Sequence, residues 1–449
     1  MQLTINAQQL FNLVSHFEQM AGTIFLYSGE EGLSYLALFP TTILRAKGDQ
    51  QSKVQGKDFF LLNKQNPWEG LQALLTAPSQ SEGVWPEWMG YFNYEMGAAS
   101  NPEKKIEIPF AGEAYLQKSA VLLKFDPKKN CAEIQFDKSC WEDLSSEQKL
   151  WVEKLADPAA WKKLFQPNYP LAISKAGACY PLETKKDYLA KIGEIQAQIA
   201  AGNVYQVNLS QAFRIENFIN PYPFFCKLME INSVPFAAYL RLEKKVIISA
   251  SPERLLSKKE GIIETNPIKG TAPRGKTSEE DDAQRITLQN SEKNRAELLM
   301  IVDLMRNDLG KICLPGSVNV KEIYGLKTYP HLYHTQARII GMPLPELTSL
   351  ELLRACFPAG SISGCPKLSA QQIIFDLEKR ARRSYTGAIG YIASNGDFDW
   401  NIAIRTLEIE NDEGLIQLGG AVVCDSDPEQ EYQETLLKGK PLFEAMGIA

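Results

Sequence analysis

The chain has 449 residues, of which 44% are hydrophobic and 23% charged, and its net charge is −6. These proportions are ordinary for a globular protein, and the acidic balance argues against a general nucleic-acid-binding protein, which would be basic. No apolar run reaches the ~18 residues of a transmembrane helix, so we expect no membrane span. The first residues lack the regions of a signal peptide, so we expect a cytoplasmic protein.

Cysteine and histidine usage limits the metal chemistry of the chain. The eight cysteines are scattered without a C-x-x-C pair, which predicts reduced, mostly buried thiols. The only histidines are His16, His331 and His334. We therefore do not expect a histidine-rich metal site.

The chain divides into three regions by composition. Residues 1–135 are predicted to form short strands with turns, as in Thr23–Tyr27 and Ala120–Phe125, which are rich in apolar strand-forming residues. Residues 136–180 are polar and rich in Lys and Glu, which predicts short helices in a connecting segment. Residues 181–449 carry nearly all the motifs described below.

A helix is predicted at the start of the third region. Thr184 can cap it, apolar residues recur on one face, and Gly202 can end it. The segments Val204–Phe213 and Lys245–Ala250 then alternate like strands. Periodicity alone therefore predicts a mixed α/β class.

Lys269 follows a rigid Pro-Ile pair and precedes Gly270 and Thr271, where the backbone can approach a ligand closely. A lysine held there can be a fixed cation for an anionic substrate or, if desolvated, a neutral nucleophile. A solvated surface lysine is the alternative, and it holds for most lysines.

Two later segments are predicted to begin helices that carry carboxylates. Ser291 can cap the first, on which Glu297 lies beside a long apolar run, and Asp427 with Pro428 begins the second. Three residues share one face of the second helix: Glu431, Glu434 and Lys438. Carboxylates from two helices suit a hard ion such as Mg²⁺. Spacing alone favours the alternative, a solvated acidic face paired with Lys438.

Two further segments suggest an anion site. Phe357–Lys367 is a Gly-rich loop before a helix, where backbone N–H groups can face an anion, although the loop by itself favours an ordinary turn. It lacks the Walker pattern, so we do not predict ATP. Gly387–Tyr391 and Ile402–Thr406 are predicted to be paired strands. Arg405 in the second needs a buried anion, supplied either by a ligand or by a structural ion pair.

Together these motifs resemble the chorismate-utilising enzymes. The resemblance rests on Pro-Ile-x-Gly-Thr at Lys269, Ala-Glu-x-Leu-Met at Glu297, Glu-x-x-Glu-Thr at Glu434, and the Gly-rich loop. It covers residues 180–445 strongly and the first 130 weakly. It implies an α/β (α+β) fold in which two large antiparallel sheets pack together with surrounding helices.

The resemblance also implies roles for individual residues. Glu297 and Glu434 would hold a Mg²⁺ ion that binds the ring carboxylate of chorismate, with Glu431 and Lys438 beside them. Tyr391 and Arg405 would hold the enolpyruvyl carboxylate. The remaining matches are the general acid Glu253, the active-site histidine His331, and the substrate-contacting positions Gly270, Thr271, Ser361, Gly419 and Gly420. For His331 a satisfied core histidine is the alternative, and His334 has no match. Asn294 stands where some members carry a glutamate.

Within the resemblance, two positions indicate whether water or ammonia would add to chorismate. Members that add water carry a lysine where this chain has Gln206, although Gln206 could be an ordinary strand glutamine. Anthranilate synthases carry alanine where this chain has Lys269, whereas members that make 4-amino-4-deoxychorismate carry lysine. The resemblance therefore implies amination of chorismate by ammonia through a covalent Lys269 adduct.

The chain contains no glutaminase motif, so a separate glutamine amidotransferase subunit is expected to deliver the ammonia. The alternatives are an enzyme that makes anthranilate and a non-catalytic relative that kept the fold.

Overall fold

The computed structural model describes residues 1–30, 32–75, 84–101, 106–166, 177–218, 220–328 and 332–448. The strands are β1 (Gln2–Thr4), β2 (Thr23–Tyr27), β3 (Ser34–Lys47), β4 (Gln50–Gln55), β5 (Asp58–Asn63), β6 (Pro86–Phe92), β7 (Glu113–Asp126), β8 (Cys131–Phe136), β9 (Cys179–Pro181), β10 (Gln206–Ile215), β11 (Phe236–Arg241), β12 (Lys245–Ser251), β13 (Arg254–Lys259), β14 (Ile262–Asn266), β15 (Ile268–Pro273), β16 (Asn319–Thr328), β17 (Leu332–Gly341), β18 (Gly364–Cys365), β19 (Ala388–Ala393), β20 (Phe398–Asn401), β21 (Thr406–Glu410) and β22 (Glu413–Val422).

The α-helices are α1 (Ala7–Val14), α2 (Pro67–Leu74), α3 (Ser146–Ala156), α4 (Trp161–Leu164), α5 (Lys185–Ala200), α6 (Pro221–Ile231), α7 (Ser278–Asn290), α8 (Glu292–Gly310), α9 (Ser349–Cys356), α10 (Lys367–Glu378) and α11 (Pro428–Ala445). Short 3₁₀ turns lie at Tyr94–Ala99, Lys138–Asp143, Pro158–Ala160 and Gly360–Ile362. None of the helices in the described part of the chain is long and apolar enough to cross a bilayer.

Two antiparallel sheets share the long strands β3 and β7. The first sheet runs β1-β8-β7-β3-β2-β11-β12-β21-β22-β10-β9. The second runs β5-β4-β3-β7-β6-β19-β20-β13-β14-β17-β16, and β15 also pairs with β17. The first half of β3 pairs with β2 and the second half pairs with β4, so the strand contributes to both sheets. Its pairing with β7 shifts register between the two halves, at Pro40 and Thr42.

The two sheets pack face to face, and helices cover their outer faces. Side chains from both sheets meet in one buried cluster, in which Ile24 and Leu240 of the first sheet lie with Met89 and Ile389 of the second. Their chain neighbours point outward into two larger clusters, which include residues of α1, α6 and α11 on one side and of α2, α8, α9 and α10 on the other. The predicted fold class is confirmed.

The N-terminal and C-terminal regions contribute to the same sheets. β2 pairs with β11, and β6 pairs with β19. Both outer clusters also contain residues from each end of the chain. The division of the chain near residues 135 and 180 stays a prediction about sequence organisation.

Local sequence signals predicted several elements correctly. Thr184 caps α5 with a reciprocal Asp187 contact, and Gly202 follows its end with a positive φ of 78°. Ser291 and Asp427 cap α8 and α11 by accepting bonds from backbone N–H groups three residues on. These signals act within one helical turn, so they do not depend on the rest of the fold.

A buried ionic network supports the segments around the site. Arg382, whose side chain is 1% exposed, donates to the Glu378 carboxylate. It also donates to the backbone oxygens of Asn208 (2.6 Å) and Ile362 (3.0 Å). Because a buried charge is tolerated only with such partners, this network fixes β10 against the Gly-rich loop.

Glu95 should make stability depend on pH. Its carboxylate is buried and accepts a hydrogen bond from the backbone N–H of Arg382 at 2.7 Å. Burial raises the pKa of Glu95 to about 8. The folded protein thus binds this proton more tightly than the unfolded chain does. Stability from this group is present below pH ~4.5 and is lost as the pH rises through ~8, by a few kcal/mol.

The Glu95→Gln variant should therefore gain stability relative to wild type at pH 8 and little at pH 5, as measured by urea unfolding at both values. Glu147→Gln, at an exposed position of α3, is the matched control and should show no such difference. An equal Glu95→Gln effect at both pH values would contradict the raised pKa.

Candidate active site

Lys269 lies near the start of β15, with its side chain largely buried. Only 11% of the side chain is exposed, so it is not an ordinary surface lysine. Thr335 of β17 donates a hydrogen bond to its backbone oxygen. Gly270, the next residue, has a φ of 83°, and a Cβ there would lie 2.9 Å from the Thr335 hydroxyl and 3.0 Å from the Asn294 amide. The pairing of β15 with β17 shifts register at this position, and only glycine fits the resulting bulge beside Lys269.

The groups around Lys269 shift the pKa of its amine in opposite directions. Burial lowers the pKa of its amine, and Lys438 lowers it further, whereas Glu297, Glu253 and Glu434 raise it. The net direction is downward. The Lys269 Nζ lies 3.9 Å from the nearest Glu297 oxygen, at the limit of an ion pair. A lysine with a lowered pKa carries more of the neutral, nucleophilic amine at a given pH.

Three carboxylates from α8 and α11 lie in this part of the site, and each faces a lysine. Glu297 faces Lys269 at 3.9 Å, Glu431 faces Lys293 at 3.4 Å, and Glu434 faces Lys438 at 2.7 Å. Lys438 holds the pKa of Glu434 below its usual value, whereas burial raises that of Glu431. The face predicted on α11 is therefore turned toward Lys269 as well as paired with Lys438.

The donor chemistry of these three residues fits a hard cation, because they offer only carboxylate oxygens. Lys293 interacts electrostatically with Glu431, Glu297 and Glu434 alike, so the three lie in one region. Within the described ranges, no three His, Cys, Asp or Glu side chains are close enough together to hold a metal ion.

Glu253 is a second buried carboxylate beside Lys269. It is 5% exposed, and burial raises its pKa, against the opposing effects of a Ser361 hydrogen bond and of Lys269. The Ser361 hydroxyl donates to Glu253 at 2.7 Å, and the N–H of Ile268 donates to the same oxygen at 3.5 Å. Ser361 lies in the 3₁₀ turn of the Gly-rich loop. The loop and the lysine strand thus meet at Glu253, which suits a proton donor.

His334, which sequence reasoning left unassigned, lies in the site. Its Nδ1 is 2.8 Å from the Thr271 hydroxyl, and it is 2% exposed. Burial lowers its pKa to about 3, and Arg405 and Lys438 lower it as well, so the ring is neutral near pH 7. The sequence signal that could have indicated His334 is the strand pattern of His334–Gly341. In the structure this strand, β17, pairs with β15, which carries Lys269. The predicted His331 lies outside the described residues.

Lys438 also bonds to Gly419, the first glycine of the predicted pair on β22. Its Nζ donates to the Gly419 oxygen at 3.1 Å, and a Cβ on Gly420 would lie 3.4 Å from a Glu431 oxygen. A Cβ on Gly419 would lie 2.7 Å from the Tyr385 hydroxyl. The predicted pair therefore joins the site from inside strand β22, and Tyr385, which the sequence did not predict, joins it as well.

Tyr391 does not lie with the other predicted residues. Alternation along β19 turns it to the inner face of the sheet, where its ring packs on Tyr35 with centroids 5.1 Å apart. It lines a cavity of 1460 Å³ together with Arg254 and Asp399, and none of the other predicted site residues that the structure describes lines that cavity. The expectation that Tyr391 and Arg405 hold the same substrate carboxylate stays a prediction.

The strand predicted around Arg405 is wrong. β20 ends at Asn401 and β21 begins at Thr406, so Arg405 lies between them with a φ of 52°. This left-handed conformation breaks the ladder. Arg405 remains close enough to His334 to lower its pKa.

Gln206 is fully buried at the start of β10, opposite Cys365 of the Gly-rich loop. Among the described residues, neither the oxygen nor the nitrogen of its amide has a hydrogen-bond partner. Buried amides normally have partners, so this one is available to a polar ligand.

The fold and this set of residues resemble those of the chorismate-utilising enzymes. Residues 22–444 match the family of chorismate binding enzymes, and the chain belongs to that family.

Two of its relatives carry different enzyme names. Aminodeoxychorismate synthase component 1 of Escherichia coli (strain K12) is 43% identical over 255 residues, which cover 57% of this chain and 56% of that protein. Anthranilate synthase component 1 of Saccharolobus solfataricus is 41% identical over 264 residues, which cover 59% of this chain and 63% of that protein. The chain thus matches less than two thirds of the length of either relative.

A solved structure agrees over nearly the whole chain. Anthranilate synthase component I from Streptococcus pneumoniae TIGR4 superposes with a TM-score of 0.76 at 29% sequence identity. The superposition covers 91% of this chain and 92% of that chain. Both halves of the shared two-sheet architecture are therefore present in a known member of the family.

Proposed function

We propose that this chain is the chorismate-aminating component of an aminodeoxychorismate synthase, which makes 4-amino-4-deoxychorismate for p-aminobenzoate and folate synthesis. The observation that carries the proposal is the buried amine of Lys269, held between the carboxylates Glu297 and Glu253. The similarity to aminodeoxychorismate synthase component 1 supports the same branch.

The proposed reaction uses Lys269 and Glu253 in sequence. The neutral Lys269 amine attacks ring C2 of chorismate, the ring double bonds shift, and the C4 hydroxyl leaves as water with the proton of Glu253. Ammonia then adds at C4, the double bonds shift back, and Lys269 is released. The net change is chorismate plus ammonia giving 4-amino-4-deoxychorismate plus water, with the enolpyruvyl group retained.

The substrate carboxylates would be held by opposite walls of the site. Glu297 and Glu434 would hold a Mg²⁺ ion, with Glu431 beside them. When bound, this ion supplies a positive charge for the ring carboxylate. Arg405, near His334 and Thr271, offers the second cation, and Gln206 offers an uncharged amide where a water-activating lysine would otherwise stand.

We propose that ammonia comes from a separate glutamine amidotransferase subunit. The name of the E. coli relative, component 1, implies a second component there. Within the sequence of this chain we find no Gly-x-Cys-x-Gly nucleophile motif with a downstream His-x-Glu.

A second candidate is the anthranilate-forming reaction, which the S. solfataricus relative supports. Lys269 argues against it, because anthranilate synthases carry alanine there. A non-catalytic relative is disfavoured, because Lys269, Glu253, Glu297 and Glu434 are all present and three of them lie around one amine.

Product identity decides between these functions. The purified chain is incubated with chorismate and ammonium, with Mg²⁺ or with EDTA, and the products are analysed by mass spectrometry and fluorescence. We expect aminodeoxychorismate, formed only with Mg²⁺ and converted to p-aminobenzoate by an added lyase. Fluorescent anthranilate would establish the second candidate, and no turnover would support a non-catalytic chain. Glutamine should replace ammonium once an amidotransferase subunit is added.

A further inference from the structure

Strand β5 is an apolar edge strand that is exposed to solvent on both faces. Phe59, Phe60 and Leu61 are 64%, 51% and 58% exposed. In the described part of the chain β5 pairs only with β4. Three consecutive exposed apolar side chains on an unprotected edge are unusual, because natural edges are normally blunted by charge, proline or a covering segment.

The backbone of β5 shows which groups are free. Lys64, just after the strand, donates its N–H to the Asp49 oxygen across the hairpin. In an antiparallel ladder the backbone groups of successive residues point alternately to the two sides. Even-numbered residues of β5 thus bond to β4, whereas Phe59, Leu61 and Asn63 direct their N–H and C=O groups outward.

We propose that β5 pairs with β5 of a second copy of this chain, antiparallel, with Leu61 on the two-fold axis. The outward N–H and C=O groups of the two β5 strands can bond to each other only if odd-numbered residues of one strand lie opposite odd-numbered residues of the other. This condition is met when Leu61 lies opposite Leu61 of the second copy. Asp58 of each copy then lies opposite Lys64 of the other, in a pair without ladder hydrogen bonds, where side chains are closest. Neither residue forms an ion pair with any described residue of its own chain.

Other registers lack this charge match. Centring the pair on Phe60 satisfies the backbone but places Asp58 opposite Leu62 and leaves Lys64 without a carboxylate. Centring it between Phe60 and Leu61 opposes inward-pointing and outward-pointing backbone groups. An isologous two-fold contact closes on itself, so it predicts a dimer and not a fibre.

Charge reversal tests the contact in solution. By sedimentation equilibrium, wild type should reach twice the 50.3 kDa of one chain. Asp58→Lys and Lys64→Asp should each weaken dimerisation by roughly five- to tenfold or more, since each opposes like charges twice. The Asp58→Lys/Lys64→Asp double variant should restore it. A wild type that stays monomeric, or a double variant that is no tighter than the single ones, overturns the proposal.

A cysteine variant tests the register. Residues facing each other in a hydrogen-bonded antiparallel pair have Cα atoms ~5.5 Å apart, within disulfide reach. Leu61→Cys should form a covalent dimer on mild oxidation, in a background in which the exposed Cys424 is serine. Phe59→Cys, four residues from its own mate in this register, should not. Equal cross-linking of both overturns the register.

The amidotransferase subunit is the competing occupant of this edge. If the chain alone is monomeric and the β5 variants weaken binding of that subunit instead, self-association is wrong. The proposal does not depend on the proposed function, because these measurements do not use turnover. Circular dichroism melting confirms that each variant is folded, which is expected at exposed positions.

Discussion

Replacing Lys269 with alanine should lower the rate of chorismate amination by about a thousandfold or more, equivalent to ~4 kcal/mol of transition-state stabilisation. The amine is buried and its pKa is lowered by that burial, so it is suited to attack carbon. Chorismate should still bind, because in the proposed site other residues would hold its carboxylates. Turnover and binding are measured separately, by product formation and by calorimetry.

Arginine at position 269 distinguishes between the two possible roles of Lys269, a fixed cation and a neutral nucleophile. Lys269→Arg keeps the charge but cannot supply a neutral amine at working pH. If Lys269 is a nucleophile, Lys269→Arg should be as inactive as Lys269→Ala, whereas substantial activity would reduce Lys269 to a fixed cation. Lys276→Ala, at an exposed position on the same segment, is the matched control and should be unchanged.

Glu253→Gln should lower turnover by roughly 10²–10⁴-fold, the usual contribution of a positioned proton donor. Burial raises the pKa of Glu253, which keeps its proton available to the leaving hydroxyl at higher pH than for an exposed glutamate. Wild-type kcat should therefore fall as the pH rises through this pKa. The variant should retain chorismate binding, since glutamine matches the shape of the acid.

Ser361→Ala gives a distinct signature for the same site. The Ser361 hydrogen bond lowers the pKa of Glu253, so its removal should raise that pKa further. The alkaline limb of the pH–rate profile should then move to higher pH, with a smaller loss of rate than in Glu253→Gln. An unmoved limb would show that another group controls it.

The parts of the site that sequence predicted are those set by local rules. Caps at Ser291 and Asp427 fix where α8 and α11 begin, and the spacing of Glu431, Glu434 and Lys438 fixes a shared helical face. The Pro-Ile pair and Gly270 predict a close backbone approach beside Lys269, and a Cβ on Gly270 would collide with Thr335 and Asn294. Each rule acts over a few residues, so it could be applied without knowing what packs nearby.

The wrong or missed assignments all concern direction or distant contacts. Tyr391 and Tyr385 are only six residues apart, but one faces the inner cavity and the other faces Gly419. Arg405 leaves the ladder at a positive φ that no local residue type announces. His334 meets Thr271 across 63 residues of chain.

The sequence by itself determined the family, the two-sheet α/β class, the capped helices and the presence of Lys269 with its carboxylates. Tertiary structure alone decided that Lys269 is buried, that Glu253 meets Ser361, and that His334 joins the site. Burial and charge proximity change a pKa, and both arise from residues that are distant in the chain. The types of the site residues can therefore be read from short segments of sequence, whereas the pKa values of their side chains depend on the distant residues that the fold places beside them.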